Sequence, residues 1–131
     1  MQQTNQKSRA TKQRDAILKV FHDADRPLKP EEVWNLAMKK VARMGLTTVY
    51  RAIKACVEQG ILTSVSVPGE PPRYELSGKK HHHHFLCRAC DGMYEVNRCI
   101  GKIESSAPPG FLVEDHHITL YGVCKECRTS P

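Results

Sequence analysis

Two Cys-x-x-Cys pairs are the most specific chemical feature of this 131-residue sequence. Cys87 and Cys90 form the first pair, and Cys124 and Cys127 form the second, with 33 residues between them. Two such pairs, each on a tight turn, complete a tetrahedral thiolate shell that suits Zn²⁺ and leaves no position open for catalysis. The alternatives are disulfides, which a reducing cytoplasm disfavours, and a redox dithiol, which needs only one pair. The spacing therefore predicts a structural zinc site.

Four consecutive histidines, His81 to His84, precede the first cysteine pair. If this tract is extended, His81 and His83 face one side while His82 and His84 face the other, so one strand can serve two metal sites. Nearby residues that can supply further ligands are Glu75, Glu95, Cys99, Glu104, Glu114, Asp115, His116 and His117. The alternatives are a solvated tract that binds metal weakly, ordinary surface or core positions for His116 and His117, and a core position for Cys99.

A basic half of the chain precedes this Cys/His-rich half. The net charge is +6, and residues 1–80 carry 15 Lys and Arg against 8 Asp and Glu, whereas residues 81–131 carry 5 against 6. Such asymmetry favours a polyanionic partner for the first half. One helix there exposes four residues that can reach DNA phosphates or base edges: Thr48, Tyr50, Arg51 and Lys54. The alternative is an ordinary amphipathic helix with a solvated basic face.

The spacing of apolar residues predicts the elements that position these groups. One helix carries Ile17 and Phe21 on its buried face, a second begins at Pro30, and a third begins at Thr47, whose hydroxyl caps it. A hairpin follows, with strands at 61–67 and 73–76 around a proline-rich turn. Three helices followed by a hairpin indicate a winged helix-turn-helix.

The second half has a different pattern. Strands are predicted at 84–87, 93–96 and 111–121, and a short helix at 98–106. About 50 residues form a marginal core unless a metal or a partner subunit contributes. We therefore expect a winged-helix domain at 1–76, a linker at 77–80 and a metal-binding domain at 81–131.

The composition also bears on location. No run approaches the roughly 20 apolar residues that cross a bilayer. The first ten residues are polar and basic with no apolar core following, so no signal peptide is expected. We expect a cytoplasmic protein with no membrane partner.

Several motifs occur together in one order: Arg14, Thr48-Val-Tyr-Arg51, His81-His-His-His84-Phe-Leu-Cys87-Arg-Ala-Cys90, His116 and Leu120-Tyr-Gly-Val-Cys124-Lys-Glu-Cys127. In this combination the chain resembles the ferric uptake regulator family over roughly residues 9–127. The resemblance implies an α+β protein with an N-terminal winged-helix DNA-binding domain and a small C-terminal α/β dimerisation domain. It also implies a homodimer that binds a pseudo-palindromic operator in double-stranded DNA and represses genes of metal uptake or stress, and no enzymatic activity.

The same resemblance implies roles for particular residues. By this resemblance Tyr50 and Arg51 would contact DNA, and Arg14, Thr48 and Lys54 are the further candidate DNA-binding residues. The structural zinc would be held by Cys87, Cys90, Cys124 and Cys127. A regulatory site at the domain junction would use Glu75, His82, His84 and Glu95. A second site, inside the dimerisation domain, would use His81, His83 and His116, with Glu104 or Cys99 as the fourth ligand.

Some positions depart from the family's pattern. The loop Arg26-Pro-Leu-Lys-Pro30 lacks the histidine that many relatives add to the junction site, and no cysteine shortly precedes the histidine tract. Cys99, followed by the short Pro108-Pro-Gly-Phe111 connection, looks more like zinc uptake regulators. We therefore expect Zn²⁺ rather than Fe²⁺ or Mn²⁺ as the second divalent metal. The alternatives are an iron- or peroxide-sensing member of the family, a metal buffer or chaperone, and a small zinc hydrolase.

Overall fold

The computed structural model describes residues 8–129, and the chain divides into two compact units between Gly78 and Lys79. The first seven residues, on which the expectation about a signal peptide depends, lie outside the described range. Between residues 8 and 129 there is no helix long and apolar enough to cross a membrane. The functional boundaries at 1–76, 77–80 and 81–131 stay predictions.

Three helices open the N-terminal unit. Helix α1 spans Arg9–Ala24, α2 spans Pro30–Ala37 and α3 spans Leu46–Glu58. The Ser8 hydroxyl accepts a hydrogen bond from the backbone of Thr11, which caps the start of α1. Because Pro30 has no backbone N–H, it fits the first position of α2, as predicted.

The core of this unit lies where the three helices meet. Its side chains are nearly inaccessible to water and come from every helix: Ile17, Val20 and Phe21 from α1, Val33 and Ala37 from α2, and Val49, Ile53 and Cys56 from α3. The indole of Trp34 donates a hydrogen bond of 2.7 Å to the Met44 carbonyl, which secures the turn between α2 and α3. Burial of this apolar surface fixes which face of α3 points outward.

A two-stranded hairpin completes the unit. Strand β1, Leu62–Val65, pairs antiparallel with β2, Arg73–Leu76. Leu28, in the loop between α1 and α2, forms an isolated bridge with Tyr74, through backbone hydrogen bonds of 2.8 and 2.9 Å. The predicted winged helix-turn-helix is confirmed.

The C-terminal unit is built on a three-stranded sheet. Strand β3 spans His83–Cys87, β4 spans Met93–Val96 and β5 spans Thr119–Gly122, and their spatial order is β4-β3-β5. Strand β3 is antiparallel to β4 and parallel to β5. A 3₁₀ turn at Ile103–Ser106 lies between β4 and β5, and a short helix, α4, at Lys125–Thr129 follows β5.

Three local predictions are wrong. Helix α3 begins at Leu46 with Gly45 as its N-cap, and no side chain caps it, so Thr47 does not have that role. The helix predicted at 98–106 is only the 3₁₀ turn at 103–106, because Gly101 adopts a φ of 95° that interrupts it. Residues 111–118 form no strand, since Phe111 and Leu112 are 71% and 84% exposed and gain no burial from pairing within the described chain.

Candidate metal centres and nucleic-acid interface

The four paired cysteines converge at one edge of the C-terminal sheet. Because β3 and β5 are parallel, their carboxyl ends meet at that edge, and Cys87 lies opposite Gly122 in register. Each strand therefore delivers one cysteine pair to the same place. The four sulfurs lie within 4.8 Å of one another, and all are free thiols. We call this group the four-cysteine cluster.

Hydrogen bonds within the four-cysteine cluster change the pKa values of two of its thiols in opposite directions. The backbone N–H groups of Cys124 and Cys90 donate to the Cys87 sulfur at 3.2 and 3.4 Å. These backbone hydrogen bonds lower the pKa of Cys87 to about 6. In contrast, hydrogen bonds with the sulfurs of Cys124 and Cys90 raise the pKa of Cys127 to about 12. Cys87 is therefore a thiolate at neutral pH and can bind a cation directly, whereas a metal ion must displace the proton that Cys127 retains.

A second group of potential ligands lies in the same unit. We call it the His3Cys cluster; its four members are His81, His83, Cys99 and His116, with ligand atoms within 4.8 Å of one another. The Nε2 atom of His81 is 3.1 Å from Nε2 of both His83 and His116, and the Cys99 sulfur is 3.3 Å from Nε2 of His116. Burial, reinforced by the neighbouring histidines, lowers the pKa of His83. His83 is therefore neutral at pH 7, as a metal ligand must be.

Glu104 does not belong to the His3Cys cluster. It lines the same cavity, of about 280 Å³, together with Glu114 and Asp115. Asp115 accepts a hydrogen bond of 2.8 Å from the backbone N–H of His116, and its other carboxylate oxygen lies 3.2 Å from the exposed imidazole of His117. Between the two candidates for a fourth ligand, the geometry favours Cys99.

The residues expected at the domain junction are divided between the two units. His82 and His84 lie in the C-terminal unit with ring centroids 4.9 Å apart. Glu95 is opposite His84 across the β3–β4 pair, but its carboxylate forms an ion pair with Lys79. Glu75 lies on β2 of the N-terminal unit, opposite Thr63. The junction site stays a prediction.

The outward face of α3 carries the expected DNA-binding residues. Tyr50, Arg51 and Lys54 line one groove of about 490 Å³ beside the wing, and Arg51 and Lys54 are exposed. Thr48 is half-buried at the start of the same helix. Arg14, which lies on α1, donates a hydrogen bond of 2.7 Å to the side chain of Gln59 just beyond the end of α3.

Sequence reasoning missed three residues next to these sites. Glu31 accepts a hydrogen bond of 2.8 Å from the Tyr50 hydroxyl, and Lys79 forms an ion pair with Glu95. Tyr94 and Cys124 line the same cavity, of about 360 Å³. Only the tertiary structure brings Glu31 to Tyr50. The place of Tyr94 near the cysteines could have been predicted from the pairing of the two strands, because Tyr94 lies opposite Phe85, and Phe85 is two residues before Cys87.

Known proteins resemble this chain over most of its length. The model of the ferric uptake regulator family matches residues 5–121. The ferric uptake regulation protein of Campylobacter upsaliensis is 32% identical over 124 residues, which are 90% of this chain and 79% of that protein. The solved structure of the ferric uptake regulator of Francisella tularensis with iron has a TM-score of 0.70 at 28% identity and covers 98% of both chains. A zinc-bound manganese uptake regulator has a TM-score of 0.74 at 26% identity, over 95% of this chain and 91% of its own.

These matches agree with the fold and the clusters described above. The architecture is a winged-helix DNA-binding domain followed by an α/β dimerisation domain. Proteins of this family regulate transcription and are not enzymes, which excludes the small zinc hydrolase. The chain therefore belongs to the ferric uptake regulator family, whose members are dimeric, DNA-binding, metal-dependent transcriptional regulators.

Proposed function

We propose that this protein is a cytoplasmic, zinc-responsive repressor of metal-homeostasis genes. It binds a pseudo-palindromic operator in double-stranded DNA as a homodimer when a divalent metal is held in its regulatory site. Although it lies outside the proposed junction site, the His3Cys cluster is the observation that favours zinc for this protein, because its donors are three imidazoles and one thiolate. This soft, four-membered set suits tetrahedral Zn²⁺ better than Fe²⁺ or Mn²⁺, which favour more oxygen ligands.

The four-cysteine cluster has a structural role in this proposal. Four thiolates close the coordination shell of Zn²⁺, so the ion supplies no chemistry beyond cross-linking. The unit has little apolar core of its own, with Leu86 and Met93 among its few buried apolar side chains. Binding of zinc therefore contributes directly to the folding free energy of the dimerisation domain.

The regulatory role belongs to the junction residues. Glu75 precedes the segment 76–80 in sequence, whereas His82 and His84 follow it. An ion bound by residues on both sides fixes the angle between the two domains, and with it the spacing of the two α3 helices in a dimer. Helices that match successive major grooves, about 34 Å apart, bind well, and a flexible pair must be ordered on DNA at a cost.

An iron-sensing member of the family is the second candidate. The observation in its favour is the sequence similarity to the ferric uptake regulation protein of Campylobacter upsaliensis described above. The oxygen donors Glu75 and Glu95 also suit Fe²⁺. Operator titrations with Zn²⁺, Fe²⁺ and Mn²⁺ in parallel distinguish the two candidates, because only the sensed metal strengthens binding at its free physiological concentration.

The exposed guanidinium of Arg51 should be a major DNA contact. Arg51→Ala should weaken operator binding by about 1–3 kcal/mol if this residue reads a base pair, or reduce the salt dependence of binding if it contacts a phosphate. Fluorescence anisotropy over a series of salt concentrations measures both effects. Arg88→Ala, in the other unit, is the matched control with parental affinity. An unchanged affinity of Arg51→Ala would remove α3 from the recognition role.

His84 and His83 should differ in their effect on regulation. His84→Ala should keep its fold, its four-thiolate zinc and its dimer but lose metal-dependent operator binding, since His84 belongs to the proposed junction site. His83→Ala should have a milder effect because His83 belongs to the His3Cys cluster. Operator titration at fixed salt, with and without each metal, measures both variants. The opposite ranking would reverse the assignment of the two sites.

Cys99 and Glu104 should differ in metal binding. With the four-cysteine cluster filled with Zn²⁺, a Co²⁺ titration should show a thiolate charge-transfer band for the parent and for Glu104→Gln. Cys99→Ser should lose that band, because a hydroxyl replaces the only sulfur in the His3Cys cluster. If Glu104→Gln weakens cobalt binding while Cys99→Ser leaves the spectrum unchanged, Glu104 is the ligand.

A further inference from the structure

The Tyr50 side chain lies on the surface of α3, between two grooves of the N-terminal unit. One groove, of about 490 Å³, is lined in part by Arg51 and Lys54, and the other, of about 250 Å³, by Glu31 and Pro72. The tyrosine itself is 46% exposed. An exposed side chain of this kind changes rotamer rapidly unless another group holds it.

Glu31 is the group that holds this phenol. The Tyr50 hydroxyl donates a hydrogen bond of 2.8 Å to Oε1 of Glu31, which lies 19 positions earlier in the chain. Glu31 is in the first turn of α2, where the helix dipole stabilises a carboxylate. The hydrogen bond lowers the pKa of Glu31 and raises the pKa of Tyr50. At neutral pH the acceptor is therefore ionised and the donor is protonated, which makes this a charge-assisted hydrogen bond.

The core of the unit fixes where the carboxylate and the phenol meet. Val33 of α2 and Val49 and Ile53 of α3 are buried in one core, a few residues from Glu31 and Tyr50 in sequence. Because a closely packed core resists displacement of either helix, the two side chains start from fixed backbone positions.

A carboxylate at this place is unfavourable for DNA binding by its charge alone. Glu31 is exposed beside Tyr50 and repels the phosphates of any duplex that reaches α3. While the Tyr50 hydroxyl donates its only proton to Glu31, its oxygen can only accept a further hydrogen bond. Phosphate oxygens are acceptors as well, whereas the amino groups of adenine and cytosine are donors in the major groove. The pair is therefore suited to base edges rather than to the phosphate backbone.

We propose that Glu31 is a positioning residue of the DNA interface, which holds the ring and hydroxyl of Tyr50 in the orientation that reads base edges. Glu31 then contributes to the choice of DNA sequence, although its charge opposes binding to DNA in general. The inference rests on the proposed function, in which α3 enters the major groove. It adds a residue of α2 to those of α3 that determine sequence preference.

Glu31→Ala tests this role through the ratio of two affinities. The full-length protein with Zn²⁺ is titrated with a duplex that the parent selects from a randomised library, and with a scrambled duplex of the same composition. Glu31→Ala should lower the ratio of selected to scrambled affinity about five-fold, because an unheld phenol must be ordered on binding. Binding to the scrambled duplex should become stronger, since a negative charge is removed.

Three further variants separate positioning from charge and from helix stability. Glu31→Gln removes the charge but keeps an acceptor oxygen, so it should retain most of the parental ratio. Glu58→Gln removes an exposed acid that lines the same groove as Arg51, and it should strengthen binding to both duplexes equally. In Tyr50→Phe the ratio should already be low, and the addition of Glu31→Ala should lower it no further.

The outcomes distinguish this inference from the proposed function. A parental ratio in Glu31→Ala would overturn the role of Glu31, and so would an undiminished effect of Glu31→Ala in the Tyr50→Phe background. Weaker binding to both duplexes by one factor, with a lower unfolding temperature, would also overturn it, because Glu31 would then only stabilise α2. If the parent selects no duplex, or if Arg51→Ala leaves its affinity unchanged, the proposed role of α3 fails and this inference fails with it.

Discussion

The parallel pairing of β3 with β5 is the constraint on which the C-terminal unit depends. It brings the ends of two strands, and the cysteine pair that follows each, to one edge of the sheet. Parallel strands cannot be joined by a tight turn, and the connection here runs through β4, a 3₁₀ turn and irregular residues. Closing such a loop costs conformational entropy, and a cross-link between its ends offsets part of that cost. Under the proposed function, a metal that cross-links Cys87 and Cys90 to Cys124 and Cys127 supplies the stability that the short core lacks.

The histidine tract, His81 to His84, leads directly into the same strand, β3, and supplies further potential metal ligands. Side chains alternate along an extended chain, so His81 and His83 join Cys99 and His116 while His82 and His84 lie together on the other side. Strand β3 therefore ends at a member of the four-cysteine cluster, and two separate pairs of histidines lie at its start or just before it. In the proposed mechanism this proximity couples metal binding to domain orientation, because few residues separate the histidines from the wing.

Much of this architecture is predictable where the determinants are local. Pro30 at the start of α2, the buried spacing of Val49, Ile53 and Cys56, and the proline-rich turn of the wing all act over a few residues. Long-range placement is not predictable in this way. The choice between Cys99 and Glu104 depends on the path of an irregular segment, and the contact of Glu31 with Tyr50 depends on how α2 packs against α3. Residues 111–118 have the apolar pattern of a strand, but their side chains are not buried in the described chain, so the pattern alone misleads.

The central claim is that metal at the four-cysteine cluster holds the β3–β5 pair together. Amide hydrogen exchange of the full-length protein, before and after a chelator removes zinc, tests this claim most directly. The account predicts that the amides of His84, in β3, and of Arg88, directly after it, lose their protection, because they donate to the carbonyls of Ile118 and Gly122. The amides of α1 and α3 keep theirs. Retained protection of β3 and β5 in the zinc-free protein would contradict the claim, because the sheet would then be stable without the cross-link.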